Sequence, residues 1–191
     1  MSKGRIEAFS DGVLAIIITI MVLELKVPHD GALSGLTPLI PKFLSYILSF
    51  IFLGIYWNNH HHLWQAAKEV NGMVLWANLH LLFWLSLIPF VTAWMGENNF
   101  SELPVAFYGG VLWFSSMAYY LLTRALLILH GEKSVLASAL GKDVKGLASL
   151  YIYTAAIPLA IVDPRIALVL YIIVAIMWLV PDRRIENTLK R

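Results

Sequence analysis

The chain contains no cysteine and little charge. Without cysteine it cannot form disulfides, iron–sulfur clusters or thiolate metal sites, and it has no cysteine nucleophile. Only 14% of its 191 residues are Asp, Glu, Lys or Arg, against about 25% in typical globular proteins. The net charge of +2 is too small for the basic surface of a nucleic-acid-binding protein. These shortages argue against a disulfide-stabilised secreted module, a nucleic-acid partner and an ordinary soluble domain.

What the sequence has in excess is apolar residues. They make up 59% of the chain, and the mean hydropathy is +0.73. A helix needs about 20 mostly apolar residues to cross the ~30 Å hydrocarbon core of a bilayer. Six stretches meet or approach this length, namely 6–25, 43–59, 73–94, 104–129, 147–162 and 166–180. We therefore predict an all-α integral membrane protein, in which residues 1–191 form one domain of six transmembrane helices.

The last two stretches are short and are separated only by Asp163-Pro164-Arg165. Proline lacks an N–H group, and the Asp-Pro pair favours a turn. We predict a tight helical hairpin here. The alternative is one broken helix over 147–180, which would be too long for a single span.

The basic residues indicate an orientation in the membrane. If the N-terminus lies inside, 11 of the 14 Lys and Arg residues fall on the inner side, and only Lys26, Lys42 and Arg165 lie outside. Cytoplasmic segments of membrane proteins carry such an excess of basic residues. The pattern predicts a multi-pass protein of the cell membrane with both termini in the cytoplasm.

The first predicted helix differs from the others because it carries acidic residues near its start. A carboxylate such as Asp11, two turns into a membrane helix, usually faces protein or water and is a functional candidate. On a helical wheel of 100° per residue, one face contains Arg5, Phe9, Gly12, Ile16, Thr19 and Leu23. The opposite face contains Glu7, Ser10, Asp11, Leu14, Ile18 and Met21. We infer that the second face anchors the helix within its subunit, while the first, nearly apolar face is turned away from the rest of the subunit.

Candidate partners for Ser10 and Asp11 lie at the end of the second predicted helix and the start of the third. With a cytoplasmic N-terminus, these two helix ends lie on the same side of the membrane as the start of the first helix, at a similar depth. Side chains of Trp, Asn and His can donate hydrogen bonds to a carboxylate. Those available are Trp57, His60, Asn78 and His80. Such bonds between membrane helices contribute only about 0.6 kcal/mol each, whereas an unpaired aspartate costs more. We predict a buried packing network rather than a catalytic site. The pattern does not decide which of His60, His61 and His62 joins it.

The same residues carry a resemblance to a known family. The string Arg5-x-x-x-Phe9-Ser10-Asp11-Gly12 resembles the signature of the transmembrane-protein-175 potassium channels of bacteria and lysosomes. The similarity extends to Trp57-x-x-His60, to Asn78 and to Leu87-Ile88-Pro89-Phe90. It covers the first half of the chain strongly and the last three predicted helices only in pattern.

The resemblance implies a potassium-permeable cation channel of a prokaryotic cell membrane. Family members with one six-helix repeat are homotetramers, and the first helix of each subunit lines a central pore. The family's hydrophobic constriction falls here on Ile16, and its selectivity-assisting hydroxyl falls on Thr19. Leu23, on the same wheel face, adds a second apolar ring, and such rings can gate by dewetting. The resemblance places Arg5, Phe9, Ser10 and Asp11 in the packing network. It implies K⁺ as the permeant ion, no cofactor, and no partner besides further copies and lipid.

Other function classes receive less support from the residues. The run His60-His61-His62 suggests a metal site, but adjacent residues on a helix diverge, and no His-Glu-x-x-His pattern is present. We therefore predict no bound metal. No nucleophile and base have a usable spacing, so we predict that the chain is not an enzyme. The alternatives that remain are a secondary transporter or proton-leak pathway using Asp11, and a purely structural membrane protein.

Overall fold

The computed structural model describes residues 2–28, 33–131, 134, 137 and 143–179, and every regular element in these ranges is helical. The elements in chain order are α1 (Lys3–Leu23), a short 3₁₀ helix (Leu33–Leu39), α2 (Ile40–Ala66), α3 (Gly72–Ser86), α4 (Ile88–Glu97), α5 (Glu102–His130), α6 (Val144–Val162) and α7 (Pro164–Leu179). The all-α prediction is confirmed. Six basic residues used to predict the orientation, and residue 180 of the last predicted span, lie outside the described residues; these basic residues are Lys133, Lys142, Arg183, Arg184, Lys190 and Arg191.

The helices correspond to the six predicted spans. Five spans are long and apolar enough to cross a membrane, counting α3 and α4 as one span over Gly72–Glu97. The sixth, α7, has 16 described residues and is therefore about 24 Å long at 1.5 Å per residue. It packs against α6, and Asp163 between them accepts a hydrogen bond on Oδ1 from the backbone N–H of Arg165 at 2.9 Å. The two helices thus form the predicted hairpin.

The third span, predicted over residues 73–94, lies within one apolar segment over Gly72–Glu97. It is divided at Leu87 into α3 and α4. The physical reason is Pro89, which lacks an N–H group and whose ring conflicts with the carbonyl four residues earlier. Both α3 and α4 pack against α1.

The interior is held by close helix contacts and by a few polar bridges. Helix α1 packs on α2, α3 and α4, and α5 packs on α3, α4, α6 and α7. Three buried hydroxyls connect α2, α4 and α5, since the Ser49 hydroxyl lies 2.7 Å from that of Thr92 and 3.0 Å from that of Tyr108. At Gly96 the missing side chain lets α4 approach the backbone of Lys42 on α2, because an added Cβ would lie 2.9 Å from its Cα. These contacts fix the part of the bundle against which α1 rests.

Candidate functional site

Helix α1 has one buried and one exposed face within the subunit. The buried residues recur every three or four positions, as expected for one side of a helix. They are Ile6, Ser10, Leu14, Ile17 and Met21. The exposed face includes every residue assigned to it on the wheel, with Phe9 53%, Ile16 59% and Leu23 75% exposed. This exposed face of α1, which also holds Arg5, Gly12 and Thr19, is called the α1 stripe below.

Ser10 lies at the centre of a buried polar cluster that joins three helices. Its Oγ donates to the carbonyl of Ile6 at 2.8 Å and lies 3.0 Å from Nδ2 of Asn78 on α3. The Oδ1 atom of Asn78 lies 2.8 Å from Nε2 of His60 on α2. Ser10, Asn78 and His60 are all at most 2% exposed. The structure therefore brings these three predicted residues together and shows that His60 is the member of the histidine run in contact with Asn78.

The contacts of His60 determine where its proton lies. The indole N–H of Trp64 can only donate, and it lies 2.8 Å from His60 Nε2. Nε2 must therefore accept, so the neutral ring carries its proton on Nδ1. On its other side, the Nδ2 group of Asn78 donates to Ser10 Oγ, whose single hydrogen goes to the carbonyl of Ile6.

Asp11 takes part in a separate contact at the edge of α1. Its Oδ1 accepts a hydrogen bond from the indole N–H of Trp57 at 3.1 Å. The Trp57 ring is stacked on that of His61, with the centroids 6.0 Å apart and 16° between the planes. Asp11 is half-buried and Trp57 is 46% exposed. The carboxylate thus connects α1 to α2 outside the buried Ser10 cluster.

A second polar contact between the same helices was not predicted from the sequence. Nδ1 of His61 lies 3.2 Å from Oε1 of Glu7, and Nε2 of His61 lies 2.8 Å from Nε2 of Gln65. Glu7 is four residues before Asp11, and His61 is four residues after Trp57. This matched spacing on two facing helices is the signal from which the pair could have been found.

Not all of the predicted network residues lie in the polar clusters. His80 is exposed on α3, where its Nε2 accepts from the indole N–H of Trp84 at 2.9 Å. Arg5 and Phe9 are exposed on the α1 stripe. The structure therefore places His80 outside the Ser10 cluster, and it places Arg5 and Phe9 on the exposed face of α1. In the described part of the chain, no group of three His, Asp or Glu residues is arranged to hold a metal ion.

The Thr19 hydroxyl lies on the α1 stripe one turn after Ile16. It donates to the carbonyl of Ala15 at 2.9 Å, as threonines in membrane helices commonly do. A hydroxyl that donates its single hydrogen in this way still has oxygen lone pairs to accept a donor or contact a cation. The backbone bond therefore fixes the orientation of the hydroxyl without removing its ability to meet a cation.

The sequence matches one protein family and is similar to a bacterial and a human channel protein. Residues 5–89 match the family described as endosomal/lysosomal potassium channel TMEM175. A potassium channel of Chryseobacterium sp. (strain P1-3) is 54% identical over 190 residues, covering 100% of this chain and 99% of that protein. The human endosomal/lysosomal proton channel TMEM175 is 36% identical over 96 residues, and this match covers 44% of the chain but only 19% of the human protein.

The fold is also similar to a solved structure. A crystal structure of a lysosomal potassium-selective channel TMEM175 homolog from Chamaesiphon minutus superposes with a TM-score of 0.82 at 27% sequence identity. The superposition covers 94% of this chain and 97% of that one. It therefore includes the last three helices, which lie beyond the residues that the family match covers.

Proposed function

Because the chain belongs to the TMEM175 family of potassium channels, we propose that it conducts potassium ions passively through a central pore lined by α1. The names of its bacterial relatives and the fold it shares with a potassium-selective channel support this function. One chain contributes one such helix. The proposal therefore requires several copies around an axis, and the six-helix repeat suits a homotetramer.

The observation that carries the proposal is the α1 stripe. Its residues are exposed in the described part of the subunit, whereas the other side of α1 is held by the Ser10 cluster and by Asp11. A polar anchor on one side of a membrane helix fixes the rotation of that helix. Since the anchor faces α2 and α3, the opposite side is turned away from the subunit in a defined direction. Four copies related by an axis on that side would enclose a narrow path.

The residues of the α1 stripe take distinct roles in this path. Ile16 forms the apolar constriction, because a ring of isoleucine side chains leaves little room for water and can gate by dewetting. Leu23, almost two turns further on, forms a second apolar ring. Thr19 lies between them and offers a ring of hydroxyl oxygens, so the preference for K⁺ arises at Thr19 together with the diameter at Ile16. No cofactor, metal or catalytic residue has a part in this mechanism.

The proposed location is the cell membrane, with both termini in the cytoplasm. Helices suited to spanning a bilayer place the chain in a membrane, and the bacterial relatives favour a cell membrane. The distribution of basic residues favours cytoplasmic termini. The partners are then further copies of the chain, potassium ions and lipid.

A second candidate function is a proton pathway or proton-coupled transporter using Asp11. Its support is that animal relatives are named proton channels, and that Asp11 is a half-buried carboxylate in a membrane helix. The position of Asp11 away from the α1 stripe favours an anchoring role instead. The two functions differ in what drives the flux.

The test is a flux measurement on purified protein in liposomes loaded with potassium. We expect potassium efflux that follows its own electrochemical gradient and persists when the pH is equal on both sides. Native mass spectrometry of the same preparation should give the mass of four chains. Efflux that requires a pH gradient would contradict the channel and favour the transporter. A monomer that conducts would contradict the shared pore.

A further inference from the structure

His130, the last residue of α5, binds the connector between α2 and α3, which comprises residues 67–71. Its Nε2 accepts from the backbone N–H groups of Lys68 at 2.8 Å and of Glu69 at 3.1 Å. Its Nδ1 lies 2.9 Å from the carbonyl of Leu126, one turn earlier on α5. The two contacts with N–H groups require an unprotonated Nε2, and the contact with a carbonyl requires a protonated Nδ1. The ring is thus held as one neutral tautomer.

The arrangement is open to protonation. The side chain is half-buried at the end of its helix, and the connector residues Lys68 and Glu69 are exposed. Once Nε2 carries a proton, it becomes a donor facing two donors, and both contacts to the connector are lost. The contact to Leu126 survives, because Nδ1 is protonated in both forms. Protonation therefore releases the connector while leaving His130 attached to its own helix.

We propose that His130 is a proton-released latch that holds the α2–α3 connector to α5 and lets it go when that face of the membrane becomes acidic. The connector joins the helices that carry His60 and Asn78, so its release loosens the support of Ser10 on α1. The latch is a property of one subunit. It can therefore be tested whether or not the chain conducts potassium.

The charges near the latch do not supply an alternative switch of their own. The connector contributes one charge of each sign, from Lys68 and Glu69. Among the described residues of the neighbouring helices, Arg124 lies on α5 and Lys3 of α1 lies 3.5 Å from the carbonyl of Gln65. Lysine and arginine keep their charge through the range in which histidine ordinarily titrates. A change confined to that range therefore reports an imidazole, and the His130→Gln variant distinguishes His130 from His61 and His62 near the end of α2.

The direction of the pH dependence follows because opening of the connector is linked to proton binding at His130. The bound connector requires an unprotonated Nε2, so its contacts with His130 are present at higher pH and are lost when Nε2 takes up a proton. For one bound proton, the fraction of open connector rises by up to about tenfold per pH unit of acidification. This dependence should appear at the amides of Lys68 and Glu69.

The experiment is hydrogen exchange of the connector, residues 67–71, in detergent-solubilised protein, corrected for the intrinsic pH dependence of exchange in an unstructured peptide. When the pH is lowered from about 8 to about 5, we expect the amides of Lys68 and Glu69 to lose protection in the wild type. His130→Gln places a side-chain oxygen where Nε2 lies, and should keep protection at both values. His130→Ala should lack protection at both. His80→Ala, which removes an exposed histidine elsewhere, should behave as the wild type.

A second readout comes from nitrogen NMR of the His130 ring, which should show a protonated Nδ1 and an unprotonated Nε2 at the higher pH. Protection that does not change with pH in the wild type would overturn the latch. So would equal pH dependence in His130→Gln, or a ring protonated on Nε2 at the higher pH. In liposomes, the ratio of potassium flux at the two pH values should differ between wild type and His130→Gln, and equal ratios would overturn the coupling to α1.

Discussion

At Gly109, helix α5 lies directly against Tyr171 of α7. A Cβ added at this position would overlap the Tyr171 hydroxyl and lie 2.7 Å from its Cζ. Tyr171 cannot withdraw easily, because it is fully buried and donates to the carbonyl of Val105 at 3.1 Å. Its ring also lies between those of Tyr108 and Tyr153, with centroids 5.8 Å and 6.1 Å away. We predict that Gly109→Ala destabilises the fold.

The adjacent Gly110 provides a matched control. Within the described part of the chain, a Cβ added there meets no heavy atom within 4 Å. Both substitutions gain the same helix propensity, up to about 1 kcal/mol, so this gain cancels in their difference. What remains is overpacking, about 1–3 kcal/mol, and a displaced buried hydrogen bond, about 0.5–1.5 kcal/mol. Gly109→Ala should therefore be about 1.5–4.5 kcal/mol less stable than Gly110→Ala.

The assay is denaturant unfolding in micelles followed by tryptophan fluorescence. Removing the displaced hydroxyl with Tyr171→Phe should recover part of the loss in Gly109→Ala, although Cζ remains close. Equal unfolding free energies for Gly109→Ala and Gly110→Ala would refute the close packing of α5 on α7. So would a Tyr171→Phe substitution whose effect is the same with and without the alanine.

Three further predictions concern polar side chains. Asp11→Ala removes the acceptor for Trp57 and should reduce the thermal stability of the oligomer more than the potassium permeability of the molecules that survive; the reverse order would place Asp11 on the ion path. Thr19→Val, which keeps the shape and removes the hydroxyl, should lower the K⁺ over Na⁺ preference in reversal-potential measurements, whereas an unchanged preference would leave Thr19 only its backbone bond. Lys42→Met breaks the ion pair with Glu97, 2.9 Å long and partly exposed, and should change the unfolding free energy by less than about 1 kcal/mol; a larger loss would mean that the pair is shielded from water.

The sequence was most informative about α1 and the membrane spans. Long apolar stretches predict spans because the bilayer sets their length. The 3.6-residue period then separates buried Ser10 from exposed Ile16 without reference to any other helix. Both features depend only on residues close together in the chain, which is why they could be read from it.

Features that depend on contacts between helices were harder to predict from the sequence. The break at Leu87 required weighing Pro89 against an otherwise continuous apolar run. His80 was considered for the anchor because it shares a depth with Ser10, but its direction around α3 turns it towards Trp84. The connector contact of His130 joins segments about 60 residues apart in the chain. Nothing in either local pattern indicates that they meet.

The most direct test of the account is chemical modification of single cysteines on α1 during potassium current recordings, which is clean because the chain has no cysteine of its own. Ile16→Cys should lose most of its current when a water-soluble thiol reagent attaches a bulky charged group. Ile173→Cys, at an isoleucine on α7 that is 46% exposed, should retain its current. If modified Ile16→Cys conducts as before, or if both variants respond equally, the α1 stripe does not line the pore.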